Sequence, residues 1–340
     1  MTAEKKISVI VPCYNASKWL PQCFLTLVQQ SIGIENLELI FVNDASTDGG
    51  QTWELLTEFE RTFPESILII DLEQNCRQGG ARNEALKYAT GEYIAFVDAD
   101  DWVELDLFEK VYCRAKDTDA DIVQFNHKYF VAGIGVLDNQ KTMLDEEFCI
   151  NSIEKRKKFI ISEKITYGCW NKIYRRELVV QAGVHYAEGV VYEEPLFVYP
   201  LLYYGTKFVI MKECLYIYRQ NNNGTMYNDM KDRKTLLQHA DVQLKVWEFM
   251  KKTVFFSQYY EEIKMYFLHT YLYETLFFAK RRGMEISMDM FKELEEVILR
   301  EVKDYDYCEY ESIIPRQMKL YRWIRQGMTE KMLAVYTAQL

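Results

Sequence analysis

Tyr93-Ile94-Ala95-Phe96-Val97-Asp98-Ala99-Asp100-Asp101 is the stretch on which the fold turns. Its first five residues read as a short buried strand, and three acids crowd the four positions that follow. If the chain stays extended there, Asp98 and Asp100 point to one side and Asp101 to the other. Two carboxylates on one side, at a strand's carboxyl end, form a site for a hard divalent cation that also binds phosphate oxygens. A strand-to-helix turn capped by one Asp would also place an acid here. A cap needs only one, however, and crowding three costs repulsion unless a cation offsets it.

The same strand-then-helix alternation extends outward in both directions. Residues 7–11 are a β-branched run ending at Pro12, followed by a helix with Ser17 as its N-cap and Trp19, Leu20, Cys23 and Leu27 at helical spacing. Residues 37–42 form a second apolar run, closed by the polar turn 43–50, and Trp53, Leu56 and Phe59 then share a helix face. Strand 67–72, helix 81–89, helix 106–115 and strand 122–125 complete the series. Short apolar strands separated by helices predict an α/β fold, a mostly parallel central sheet covered by helices on both faces. Ligands of such sheets bind outside the carboxyl ends of the strands. That brings together the segment after Val11, the turn at 43–50 and the acids after Val97.

Past His127 the alternation weakens. A polar, Lys-rich segment covers 151–158, aromatic strands are expected at 208–211 and 215–218, and long amphipathic helices at 236–249, 260–280 and 290–302. The loop signal Asn221-Asn222-Asn223-Gly224 puts a boundary near 221–232. The expected division is a catalytic domain over 1–228, with a nucleotide-binding half at about 5–125 and an acceptor-side half at about 126–228, and a helical region over 229–340.

With 340 residues, 49% hydrophobic and 27% charged, the chain has ample material for a buried core. A net charge of -10 argues against nonspecific nucleic-acid binding, which depends on Lys and Arg neutralising phosphates. The eight cysteines form no Cys-x-x-Cys pair, and no stretch approaches the ~18 apolar residues of a membrane span. With no signal-peptide core before residue 7, these features predict a cytoplasmic protein with reduced thiols.

Two further segments carry chemistry. Asp44, in the turn after the second strand, either forms an Asx-turn or accepts from the imide N–H of a uracil. In Asn75-Cys76-Arg77-Gln78-Gly79-Gly80-Ala81-Arg82-Asn83, two glycines before a helix allow close backbone approach, and a helix N-terminus favours an anion. Arg77 and Arg82 could contact a base or a diphosphate, or simply lie on the surface. There is no Gly-x-Gly-x-x-Gly after the first strand and no Gly-Lys-Ser/Thr, so dinucleotide and P-loop readings lose their support.

Taken in order, Ile7-Ser8-Val9-Ile10-Val11-Pro12-Cys13-Tyr14-Asn15, Val42-Asn43-Asp44-Ala45-Ser46-Thr47-Asp48, Asn75 with Ala81-Arg82-Asn83, and the stretch 93–101 resemble the family 2 glycosyltransferases of bacterial polysaccharide synthesis. The resemblance is strong over about 5–125. It continues more weakly through Trp170-Asn171-Lys172-Ile173-Tyr174-Arg175-Arg176, Tyr192-Glu193-Glu194-Pro195-Leu196-Phe197 and Tyr218-Arg219-Gln220, and beyond about 230 it gives nothing.

The resemblance implies a GT-A nucleotide-diphospho-sugar transferase fold, an inverting sugar transfer from a UDP-sugar, and a Mg²⁺ or Mn²⁺ cofactor. By position, Pro12, Tyr14 and Asn15 would line the nucleotide site with Tyr14 stacking on the base; Asp44 would bind uracil, and Asn75 and Arg77 would lie near it. Asp98 would reach the ribose or the metal, Asp100 would be the principal metal ligand, and Arg219 would sit near the diphosphate. The general base of the family is usually the Asp of a Glu-Asp pair; here the pair is Glu193-Glu194, so Glu194 takes that position one methylene longer, with Glu193 the next candidate. Asn43 stands where an Asp is frequent.

The implied partners are a nucleotide-sugar donor and a saccharide or lipid-linked saccharide acceptor; an oligomer is left open. Residues 316–325 combine four basic and several large apolar residues with no acid, a pattern suited to lying on an anionic membrane at the inner face, or to packing as a last helix. Two other classes compete. A sugar-1-phosphate nucleotidyltransferase would carry a Gly-rich basic loop where this chain has Pro12-Cys13-Tyr14-Asn15. A catalytically silent homologue would not need both Asp98–Asp100 and a carboxylate pair at 193–194.

Overall fold

The computed structural model describes residues 5–139, 143–220 and 233–340. The chain divides into two compact units, Met1–Asn222 and Asn223–Leu340. The expected boundary loop at 221–232 lies outside the described residues.

The first unit is built on a ten-stranded sheet whose main path runs through residues 67–71, 37–43, 7–13, 93–96, 172–175, 122–131, 207–220 and 102–103, in that order. Its first half behaves as the apolar runs require. Strands β1 (Ile7–Cys13), β2 (Leu37–Asn43), β3 (Ile67–Asp71) and β4 (Tyr93–Phe96) pair in parallel. Every residue of β1 and β4 is buried, because helices cover both faces. Helices α1 (Leu20–Val28) and α2 (Gln51–Thr62) follow β1 and β2, and the Phe24 and Phe59 rings between them stack at 3.5 Å. The first helix starts three residues after Ser17, at Leu20 with Pro21 in its first turn, where the missing N–H of proline costs nothing. Helix α3 (Arg77–Leu86) starts four residues earlier than expected and so contains the glycine pair.

Beyond β4 the sheet is mixed, not mostly parallel. After the two-residue strand β5 (Trp102–Val103) and helix α4 (Leu107–Thr118), β6 (Ile122–Val131) is extended by a hairpin to β7 (Gly135–Asp138). Strand β8 (Glu146–Cys149) follows, and the Lys-rich segment then forms helix α5 (Ile153–Ile161), capped by the Ser152 hydroxyl. Strand β9 (Lys172–Arg175) runs antiparallel between β4 and β6. Helices α6 (Arg176–Ala182) and α7 (Glu194–Tyr204) lead to β10 (Lys207–Gln220). The two aromatic strands expected at 208–211 and 215–218 are thus one strand, with register shifts between Met211 and Cys214 and between Cys214 and Tyr216.

In the second unit the amphipathic stretches become α8 (Arg233–Lys251), α9 (Tyr260–Leu268), a π-helical turn His269–Glu274, α10 (Thr275–Arg281), α11 (Met288–Glu301), α12 (Pro315–Arg325) and α13 (Glu330–Ala338). Helix α12 holds the whole basic stretch 316–325. Its apolar face is committed: Met318, Leu320, Tyr321 and Ile324 are buried, and the Tyr321 hydroxyl donates to the Leu268 carbonyl. Insertion of that face into a bilayer would require unpacking it. No helix among the described residues is long and apolar enough to cross a membrane.

His239 is buried in this unit beside the Thr275 hydroxyl, which donates to the Tyr271 carbonyl and so accepts from Nδ1–H. Burial, with Arg282 adding to it, pushes the imidazole down to about 3. Its folded value is depressed, so the stability it contributes is complete above the unfolded value of about 6.5 and is lost as pH falls toward 3. Between pH 7 and 5 this one group should remove about 2 kcal/mol. His269, which burial holds down to about 4, loses stability over the same range, so the difference is the measure: on urea unfolding, His239→Gln should lose about 2 kcal/mol less than the wild type between pH 7 and 5.

Candidate active site

The carboxyl ends of β1, β2 and β4 carry the three segments singled out from the sequence. After β1, Asn15 adopts a left-handed conformation (φ +50°), and its Oδ1 accepts from the Thr47 amide at 2.7 Å. Its own amide donates to the Ser46 hydroxyl at 3.0 Å, so the turns after β1 and β2 are tied together. Pro12 is buried in β1, whereas Tyr14 is half exposed, a ring face left open at the rim.

Asp44 is buried at the end of β2. Its amide donates to the Cys13 carbonyl at 2.8 Å, and Oδ1 accepts from the Cys76 amide at 2.7 Å. Burial raises its carboxyl, and the Cys76 and Arg77 amides and the Arg77 guanidinium pull the other way. Asn75 Nδ2 donates to the Asp44 carbonyl at 3.1 Å, and its Oδ1 accepts from the Arg77 amide at 3.2 Å. Asp44 thereby staples the start of α3, where Arg77 sits at φ +59°. Asn43 spends its side chain on Asp71 Oδ1 at 2.7 Å.

The glycines of α3 serve a protein contact. A Cβ on Gly79 would lie 2.3 Å from the Ala187 carbonyl oxygen and 3.0 Å from Glu193 Cγ. The segment before α7 can therefore press against α3, and one turn further on Arg82 meets it. Arg82 is 1% exposed, with Nη2 2.8 Å from Asp98 Oδ1 and Nη1 2.5 Å from Glu193 Oε1. This differs from the expected contact with a base or a diphosphate: the guanidinium is spent on two carboxylates and buried beneath them. Burial pushes the Glu193 carboxyl up, to about 7, against the pull of Arg82.

The acidic turn divides its labour. Asp101 is buried; Oδ2 accepts from the Tyr216 hydroxyl and Oδ1 from the Arg219 amide, both at 2.7 Å. Tyr216 in turn accepts from the Asp98 amide at 3.1 Å. Arg219 donates through Nε to the Asp100 carbonyl at 2.6 Å and through Nη2 to Gln22 Oε1 at 2.7 Å. Its guanidinium lies 4.3 Å from the Trp19 ring centre, 4.6 Å from Trp102 and 5.0 Å from Phe130. Arg219 thus fixes the backbone of the acidic turn from behind. Gln22, Tyr216 and this aromatic box have no local sequence pattern, because they meet from the start of α1, β5, β6 and β10.

Asp98 has one oxygen on Arg82, which leaves Oδ2 for another partner, and Asp100 is only partly buried. Among the described residues no three His, Cys, Asp or Glu side chains are grouped to hold a metal by themselves. Asp98 and Asp100 are the carboxylates that could share a hard cation with a ligand's phosphate oxygens.

Glu194, the first residue of α7, accepts at Oε1 from the Cys169 amide at 2.7 Å. Burial raises the Tyr218 phenol, and Asp101, Asp98, Asp100 and Glu194 all add to the shift.

Residues 8–181, just over half of the chain, match glycosyl transferase family 2, and the chain belongs to that family. It is 28% identical over 229 residues to the glycosyltransferase GlyA of Streptococcus pneumoniae, covering 64% of this chain and 31% of that protein. It is 36% identical over 118 residues to the poly(ribitol-phosphate) beta-glucosyltransferase of Bacillus spizizenii, covering 34% of this chain and 18% of the relative. The chain thus spans less than a third of either. Residues 1–349 of S. aureus TarS solved with UDP superpose with a TM-score of 0.69 at 19% identity, over 98% of this chain and 89% of that one. The same TarS segment with UDP-GlcNAc gives 0.59 at 20%, over 96% and 93%. The fold is the GT-A fold.

The ion pairs of Arg82 generate a stability prediction. Arg82→Met would leave two carboxylates without their cation, and breaking a buried pair in this way costs about 3–5 kcal/mol. Urea unfolding of the variant at neutral pH should show that loss; a change below about 1 kcal/mol would mean that the strut is dispensable.

Proposed function

We propose that this chain is an inverting glycosyltransferase that moves a hexosyl or N-acetylhexosaminyl group from a UDP-sugar to an acceptor hydroxyl in the assembly of a surface polysaccharide or glycoconjugate. One observation carries the reading: Arg82 bonds both Asp98, just past the end of β4, and Glu193, the residue before Glu194 at the start of α7. The acidic turn and the segment that carries Glu194 are thereby held on one guanidinium. The UDP and UDP-GlcNAc complexes of TarS favour a uridine nucleotide, and the B. spizizenii relative favours a surface-polymer acceptor, saccharide or lipid-linked.

On this reading Pro12 and Tyr14 receive the base, Tyr14 by stacking, and Asn15, Asp44, Asn75 and Arg77 surround it. Asp98 and Asp100 would hold Mg²⁺ or Mn²⁺ together with the diphosphate. Bound there, the cation supplies neutralisation of the charge that grows on the leaving group. Glu194 takes the proton of the attacking hydroxyl as the new bond forms on the face of the anomeric carbon opposite the diphosphate. Glu193 suits this task less, because Arg82 already occupies one of its oxygens and burial hides it.

A thermal-shift screen of UDP, UDP-glucose, UDP-galactose, UDP-GlcNAc and GDP-mannose, each with and without Mn²⁺, tests donor and metal together. UDP-sugars with Mn²⁺ should stabilise by about 2.7 kcal/mol at a hundred times Kd, with GDP-mannose inactive. Asp100→Ala should abolish both transfer and donor hydrolysis without lowering Tm; wild-type turnover in that variant would remove its assigned role. Glu194→Gln should lower transfer at least about 100-fold while keeping UDP binding.

A further inference from the structure

The Trp170-Asn171-Lys172 motif holds a charge that the proposed chemistry leaves unused. Lys172 is 1% exposed at the start of β9. Its Nζ lies 2.9 Å from Thr166 Oγ1, 2.5 Å from the Gly168 carbonyl oxygen and 2.6 Å from Asn171 Oδ1. No carboxylate forms an ion pair with it among the described residues.

The neighbours fix which atoms donate. Gln124 Nε2 donates to the Lys164 carbonyl at 3.1 Å, so Gln124 Oε1 faces Thr166 and accepts from both its amide (2.8 Å) and its hydroxyl (3.0 Å). The Thr166 hydroxyl has therefore given its proton to Gln124 and can only accept from Lys172. Three acceptors around one nitrogen require three N–H groups, which an ammonium has and a neutral amine lacks. Burial pulls this ammonium down to about 7, against Glu194 and the Cys169 thiol, which favour the charge. Three hydrogen bonds to the charged form act in the same sense.

One of these acceptors connects directly to the site. The Gly168 carbonyl and the Cys169 amide belong to the same peptide unit, and that amide donates to Glu194 Oε1 at 2.7 Å. A cation on the oxygen end of a peptide polarises its N–H and fixes its plane. The loop passes close to the carboxylate here: a Cβ on Gly168 would lie 3.3 Å from Trp170 Nε1 and in ordinary contact, 3.9 Å, with Glu194 Oε1. We infer that Lys172 is a positioning residue for Glu194, acting through the Gly168–Cys169 peptide to hold the carboxylate in a single orientation toward the acceptor hydroxyl. The inference rests on Glu194 as the base of the proposed transfer; the contact itself does not.

The test separates the two. In protein labelled with ¹⁵N-cysteine, the Cys169 amide is assigned by its loss in Cys169→Ser. Lys172→Met should move that resonance upfield, toward its position in Glu194→Gln. Initial rates with the UDP-sugar selected by the thermal-shift screen should fall about 10- to 100-fold in kcat, with donor KM within about two-fold, as expected when orientation rather than binding is lost. Thr166→Val, which removes one of the three acceptors at the start of the loop, should move the resonance in the same direction by less, and it carries the test if Lys172→Met does not fold. An amide unmoved in these variants overturns the assignment, and so does a loss in KM or UDP affinity that matches the loss in kcat. Because the amide readout needs no turnover, failure of the transferase reading would leave it intact.

Discussion

Arg82 is the side chain on which the arrangement of the site depends. It is buried, it lies between Asp98 and Glu193, and these acids come from distant parts of the first unit. Two carboxylates brought this close out of water would repel each other and lose hydration; one guanidinium offers both a bond and a charge. The geometry then propagates. Gly79 lets the segment before α7 approach α3, Arg82 holds it there, and Glu194 follows as the next residue of α7. Asp98, on the other arm, begins the turn that Asp101, Tyr216 and Arg219 fix from behind.

Arginine has two tasks here. Arg82 and Arg219 stand at positions that read as phosphate contacts, yet both are buried, one between acids and the other inside aromatic rings. Their planar, forked guanidinium suits such sites better than the compact ammonium of a lysine would. Lys172 makes the complementary case. It is a point charge with three donors in three directions, set where three oxygens converge on one atom.

How much could be read beforehand depended on the range of each interaction. Strands β1, β2 and β4 are runs of apolar and β-branched residues covered on both faces, so their burial is written into four to seven consecutive positions. The acids at 98–101 and the turn at Asp44 follow such strands directly, and the rule for parallel sheets located them. Strand β9 escaped that logic: Lys172-Ile173-Tyr174-Arg175 is four residues long, mixed in character and inserted antiparallel. Arg82 was visible as a residue but not as a strut, because Glu193 lies 111 positions away. The glycine pair read as an approach for a ligand, since nothing near it in sequence announces the Ala187 carbonyl that fills the space.

The register shifts in β10 carry a consequence for how this fold can vary. Side chains along a strand alternate between its faces, and the irregularity between Met211 and Tyr216 resets that alternation just before the strand reaches the acidic turn. Losing one residue there would bring Ile217 into the place of Tyr216, and gaining one would bring Leu215, putting an aliphatic group where a hydroxyl now joins Asp98 to Asp101. The hairpin that joins β6 and β7 has no such tie, and Ile134 at its turn is largely exposed. Among descendants of this sequence, length should drift freely at the hairpin and be held fixed through residues 211–219, where an insertion would unseat the acidic turn.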